Sequence, residues 1–144
     1  MNAPSALFIA AFALSFVVLG ATFIDAFVNY RTWPVIGAAE FKAYHQAPRG
    51  AAFVAVPILL MLASTASLLW WHPPAIPVWS IGSALGLSLF AIAISIAFQV
   101  PIQRELDRVG QSLPPLQRLG SIQGVRNVAH IANSVLFLWM GTKL

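Results

Sequence analysis

Five ionisable side chains lie in or beside long apolar runs of this sequence: Asp25, Glu40, His45, Arg126 and His130. An ionisable group at membrane depth is expensive and by default suggests function. Histidine moves protons near neutral pH, and an arginine at the mouth of a dry pocket stabilises an enolate or phenolate oxygen. The set suits acid–base or electrostatic chemistry on a hydrophobic small molecule that enters from a lipid bilayer. Other chemistries have no signature. There is no cysteine, hence no thiol nucleophile, thiolate metal site or disulfide. The three histidines form no i, i+4 pair and no Glu-x-x-His motif of the di-iron kind. No metal and no cofactor is therefore expected, and a haem held axially by His130 stands as the alternative. A strand-borne serine elbow is also missing.

Helical periodicity gathers these groups. At about 100° per residue, Gln123, Arg126, Asn127, His130, Asn133 and Ser134 occupy an arc of about 120° on one helix. The residues between them are apolar. Ser15, Thr22, Asp25 and Asn29 fall within about 80° on another helix, and Ser88, Ser95 and Gln99 within about 40° on a third. Pointing the three stripes at one another makes one polar pocket, with Asn127, Asn133, Gln99 and Asn29 as substrate-binding candidates. Opposite the third stripe, Gly82, Gly86, Ala93 and Ala97 form a small-residue seam of the kind that lets helices approach.

Plainer readings stay open. Asp25 and Arg126 are equally well placed to pair with each other, His130 to be a hydrogen-bonded structural residue, and Asn127 and Asn133 to be interhelical glue. Glu40 and His45, five residues apart, point about 140° from each other on a helix, so only one can face a site. Ser64, Thr65 and Ser67 are expected to bond back to their own helix carbonyls.

The composition says what must position these residues. The 144 residues are 59% apolar and only 8% charged, with a formal net charge of +4, against roughly a quarter charged in soluble domains. Between Arg49 and Arg104 lie 54 residues without an Asp, Glu, Lys or Arg. No water-facing surface can be built from that, which excludes a soluble enzyme, a nucleic-acid partner and a disulfide-stapled module. The expected fold is all-α: an integral membrane four-helix bundle in one domain, with spans at about 5–28, 50–71, 78–100 and 119–141. The first is read as a true span that is not cleaved, because it has no basic n-region and too long an apolar core for a signal peptide. Trp70 and Trp71 close the second span as an interfacial belt, and His72 lies among prolines at that interface. Pro101 kinks the third span, which continues to Val109. Pro114 and Pro115 suit the start of a further helix.

The first connection, Asn29 to Arg49, is too long for a bare loop. Its part from Gly37 to Gln46 reads as a short interfacial helix, placed as a lid over the pocket. Seven of the eight basic residues and all four acids fall in or beside the first and third connections. The positive-inside rule then makes those connections cytoplasmic and both termini outside.

Several short segments carry a family look: Tyr30-Arg-Thr-Trp33-Pro34, then Glu40-Phe41 and Tyr44-His45; Val100-Pro101-Ile102-Gln103 with Leu106; Arg118-Leu119; and Gly124-Val125-Arg126-Asn127. Together they make the chain resemble the small four-helix membrane proteins grouped with anthrone oxygenase. The resemblance implies a small, cofactor-independent membrane enzyme that oxygenates or otherwise modifies a hydrophobic aromatic or polyketide-like compound. It also places His45, Arg126 and Asn127 in the family's polar motifs; Trp33 and Tyr44, in the quoted segments, are further substrate-binding candidates.

The expectation is thus an oxygenase or isomerase in the membrane, with homo-oligomerisation left open. The alternatives are a haem- or ligand-binding subunit and a non-catalytic structural subunit of a membrane complex. A small drug-efflux transporter fits poorly, because Asp25 lies near one end of its span and the outer half is apolar.

Overall fold

A computed structural model describes residues 2–46 and 51–144. Five helices account for the fold, with no strand among the described residues: α1 (Ala3–Val35), α2 (Ala38–Gln46), α3 (Ala51–Ser67), α4 (Val78–Val109) and α5 (Leu113–Gly141). Local chemistry sets their ends. The Asn2 side chain caps α1 by accepting from the Ser5 N–H at 3.0 Å. Proline stands at the start of α5, where a missing N–H costs nothing. Gly110 ends α4 at φ +82°, ψ −159°, a backbone region that is essentially glycine-only. One loop side chain secures the neighbouring turn: Gln111 Nε2 donates to the carbonyls of Trp33, Pro34 and Ile36 at 2.7–3.0 Å.

Two helices, α1 and α4, are long and apolar enough to cross a membrane. The expected second span corresponds to the shorter apolar α3, and Trp70 and Trp71 lie in the turn beyond it. The expected fourth span corresponds to α5, which starts earlier, at Leu113. Arg49 and Gly50, assigned to the first connection and the start of the second span, lie outside the described residues. Ser64, Thr65 and Ser67 do bond back to the carbonyls of Leu60, Met61 and Ala63.

Both α1 and α4 contain one π turn. In α1 it covers Asp25–Asn29, closed by the Tyr30 N–H on Asp25 O; in α4 it covers Ser95–Gln99, closed by the Val100 N–H on Ser95 O. The second has a visible cause. Pro101 has no N–H for the carbonyl of Ala97 and its ring clashes with that oxygen, so the wider turn absorbs the misfit.

The longer helices pack as neighbours in chain order, α1 on α3 and α5, and α4 on α5 and α3. Three levels follow along this arrangement. At the end holding the termini lies an apolar core of Phe8, Leu68, Ile76, Ile81, Phe137 and Met140. A polar level occupies the middle. At the far end, Trp33, Phe41, Ile102, Leu106, Leu116 and Leu119 form a second core that ties α2 to the bases of α4 and α5. The Gly82, Gly86, Ala93 and Ala97 seam is exposed, and nothing lies within 4 Å of a Cβ built on either glycine. Among the described residues it is not a helix contact; α4 packs instead through Ser80, Ile81, Ala84, Ser88 and Ala91.

Candidate functional site

The polar level is built on α5, whose 29 residues form one unbroken helix. Its stripe propagates without a register change, so Gln123, Arg126, Asn127, His130, Asn133 and Ser134 are all buried. Of the apolar residues between them, Ala129 is buried and Val125, Val128 and Ile131 face outward, with Val128 67% exposed. This is the reverse of a water-soluble helix, whose apolar stripe faces the core.

Arg126 stands at the centre, 5% exposed. Its Nη1 donates to Gln123 Oε1 at 2.7 Å and to Gln99 Oε1. Each glutamine is held in turn. Gln99 Nε2 donates to the Tyr30 hydroxyl oxygen at 2.6 Å. Gln123 Nε2 donates to Asn127 Oδ1 at 2.9 Å and to the backbone carbonyl of Thr22 at 3.0 Å, just before the α1 π turn. Both π turns pack on α5 and deliver Tyr30 and Gln99 to the network, in keeping with the frequent placement of π-bulges at functional sites.

The arginine is thus anchored by neutral oxygens on one nitrogen only. Among the described residues no carboxylate pairs with it, and its Nε, buried from solvent, has no hydrogen-bond partner. The Nε/Nη2 edge of a guanidinium is a planar fork that matches two oxygens or one bifurcated oxyanion. Among the described residues neither nitrogen of that edge makes a hydrogen bond.

Asp25 does not take it. Its carboxylate accepts from Asn29 Nδ2 at 2.8 Å, one turn along α1, so the Asp25–Arg126 pair considered from sequence is replaced by two separate pairings. Both Asp25 and Asn29 are half-buried at the margin of the network. His130, one turn on from Arg126, is buried on the same face of α5. Asn133 lies deeper, with Nδ2 3.8 Å from Met61 Sδ and Oδ1 without a partner. Ser134 crosses to the carbonyl of Ser15.

His45 belongs to a second cluster. Its Nδ1 and Asp107 Oδ1 are 2.5 Å apart, and the ring stacks on Phe41 and meets Trp33 edge-on. Gln46 Nε2 adds a bond to the Asp107 carbonyl. These contacts fasten α2 to the base of α4. Glu40 and Tyr44 are exposed on the other faces of α2, so Glu40 and His45 do point apart as their spacing predicts.

The residues that sequence analysis passed over are Tyr30, whose hydroxyl supports Gln99, Asp107, and the loop residue Gln111. Tyr30 is signalled only by its place in a motif. Asp107 is 62 residues from His45, and no spacing connects them.

Among the described residues no group of three or more His, Asp or Glu converges as metal ligands would. A cleft of about 420 Å³ opens between α4 and α5, lined in part by Phe98, Ile102 and Ile122. Phe98 and Ile122 are the chain neighbours of Gln99 and Gln123. Compared with protein-family models, curated proteins and solved structures, the chain has no match.

Proposed function

We propose that this chain is an integral membrane four-helix bundle of the anthrone oxygenase-like kind, acting on a hydrophobic aromatic compound at Arg126. The observation that carries the proposal is the buried guanidinium whose Nε/Nη2 edge has neither a hydrogen-bond partner nor a paired carboxylate among the described residues. A buried cation with no carboxylate in ion-pair contact is costly, and the cost is offset when a substrate develops negative charge on oxygen against it. The membrane setting is supported by the inverted α5, by the two helices long enough to span, and by the 54-residue stretch without charge. The positive-inside rule then orients the base of α4 toward the cytoplasm.

The chemistry is that of an anthrone. His130 takes a proton from the methylene carbon, and the electron pair delocalises onto the carbonyl oxygen, which Arg126 holds as an oxyanion. Dioxygen then adds at the carbon. One of its oxygen atoms stays there as the new carbonyl and the other leaves as water with the two methylene hydrogens, giving the anthraquinone. Gln99 and Gln123 fix the guanidinium, and Tyr30 fixes Gln99. The same proton abstraction without dioxygen would make an isomerase, and oxygen uptake separates the two.

The test is aerobic incubation of the purified, detergent-solubilised protein with anthrone, following oxygen consumption and anthraquinone formation. Wild-type protein should accelerate both, with one dioxygen consumed per anthraquinone. Arg126→Lys, which keeps the charge and loses the fork, should be slower by one to two orders of magnitude. Equal rates for the two proteins, or no acceleration over buffer, would rule the proposal out.

A further inference from the structure

The α4–α5 cleft takes none of the residues discussed so far as catalytic, and its two ends differ in chemistry. Its floor is apolar, made by Phe98, Pro101 and Ile102 of α4 and by Ile122 of α5. A second recess of about 350 Å³ adjoins it, sharing Pro101 and Glu105 and adding Arg104 and Arg108. Pro101, Arg104, Glu105 and Arg108 follow i, i+3, i+4, i+7 spacing and so form one face of α4. Arg118 of α5 completes the lip and donates to Glu105 at 2.8 Å. That ion pair is solvent-accessible on both sides, so it is weak and readily rearranged. Arg104 and Arg108 make no ion pair among the described residues. Three guanidinium groups against one carboxylate leave two positive charges at the mouth of an apolar groove. They stand where the uncharged run of α4 ends, which is the level of lipid headgroups.

We infer that this cleft holds one anionic phospholipid, its phosphate among Arg104, Arg108 and Arg118 and an acyl chain along the apolar floor. The inference rests on the membrane reading of the bundle and is independent of the anthrone chemistry. Charge complementarity selects the occupant. Basic pockets between membrane helices favour anionic headgroups, and a guanidinium pairs with phosphate through two N–H donors. A zwitterionic lipid brings its own cation to a lip that already has two to spare. Glu105 has a defined part: by holding Arg118 across the cleft mouth it keeps the third cation at the phosphate level while the site is empty.

The experiment uses the full chain in nanodiscs of equimolar phosphatidylglycerol and phosphatidylcholine, released into detergent for native mass spectrometry. One phosphatidylglycerol should remain per chain, in at least tenfold preference to phosphatidylcholine. The Arg104→Gln, Arg108→Gln, Arg118→Gln triple variant should lose that preference, and the corresponding triple Lys variant should keep most of it. Equal retention of the two lipids by the wild type overturns the inference, whether or not the Gln variant folds. So does a preference that survives in a folded Gln variant, or a wild-type cleft occupied by a non-lipid acid. Failure of the chain to enter nanodiscs would instead remove the membrane reading itself, and the inference with it.

Discussion

Arg126→Met separates a functional arginine from a structural one, because the two roles give opposite signatures. Arg126 is 5% exposed and makes two hydrogen bonds through Nη1. Bonds from a charged donor contribute about 1.5–3 kcal/mol each, so about 3–6 kcal/mol is lost with the side chain. Against this stands the desolvation of a cation with no carboxylate partner, itself several kcal/mol per ion. Methionine fills most of the stem volume, and both glutamines keep the partners of their Nε2 atoms. The expected change in stability is therefore small, within about 2 kcal/mol in either direction, the residual cost being the two orphaned glutamine oxygens. Activity should behave differently. Two charge-assisted bonds from the open edge to a substrate oxyanion are again worth about 3–6 kcal/mol, a factor of about 10²–10⁴ at 1.4 kcal/mol per tenfold. Unfolding in a denaturing-detergent titration gives the first quantity, and the rate of anthrone oxidation the second. A variant destabilised by more than about 4 kcal/mol yet retaining wild-type turnover per folded molecule would show that Arg126 only holds the helices together.

Three further perturbations test other parts of the account. Val128→Lys places a charge at the most outward point of the α5 apolar face; in a bilayer this costs about 2.5–3.5 kcal/mol and should reduce recovery from membranes, whereas a soluble protein would gain solubility. Gly110→Ala should destabilise the α4–α5 turn by about 1–3 kcal/mol, because φ +82° with ψ −159° is strained for any residue with a Cβ. A loss below 0.5 kcal/mol in the same titration would mean that the turn relaxes freely. Asp107→Asn removes the charge from the His45 contact, and amide hydrogen exchange in Ala38–Gln46 should speed up while that of Leu113–Gly141 is unchanged. Equal protection in both proteins would show that the aromatic packing of Phe41 and Trp33 alone retains α2.

How much of this was legible beforehand depends on whether a helix stays regular. The α5 stripe was readable to the residue, because 29 residues without a π turn or an internal proline carry one face from end to end. On α1 the same procedure succeeds for Ser15 and Thr22, which are buried, and weakens at Asp25 and Asn29, which are only half-buried. The π turn that starts at Asp25 widens the helix by one residue, and a 3.6-residue period cannot register it. The small-residue seam of α4 fails for another reason. Periodicity defines two opposite faces, and only packing against α5 selects the one bearing Ser88 and Ala91.

The all-helical character of the chain, its apolar segments, the grouping of its charges and the polar face of α5 are all written in the order of the residues. Each depends on composition or on residues a few positions apart, which local geometry ties together. Long-range packing chose the distant partners. It gave Arg126 the side chain of Gln99 in place of Asp25, His45 the distant Asp107, and Gln99 the hydroxyl of Tyr30. Hydrogen bonds act over about 3 Å, and whether two residues 27, 62 or 69 positions apart come within that range depends on helix register and approach. The unpaired edge of Arg126 is a product of those choices: the sequence places the cation, and the packing leaves it, among the described residues, without a carboxylate in ion-pair contact.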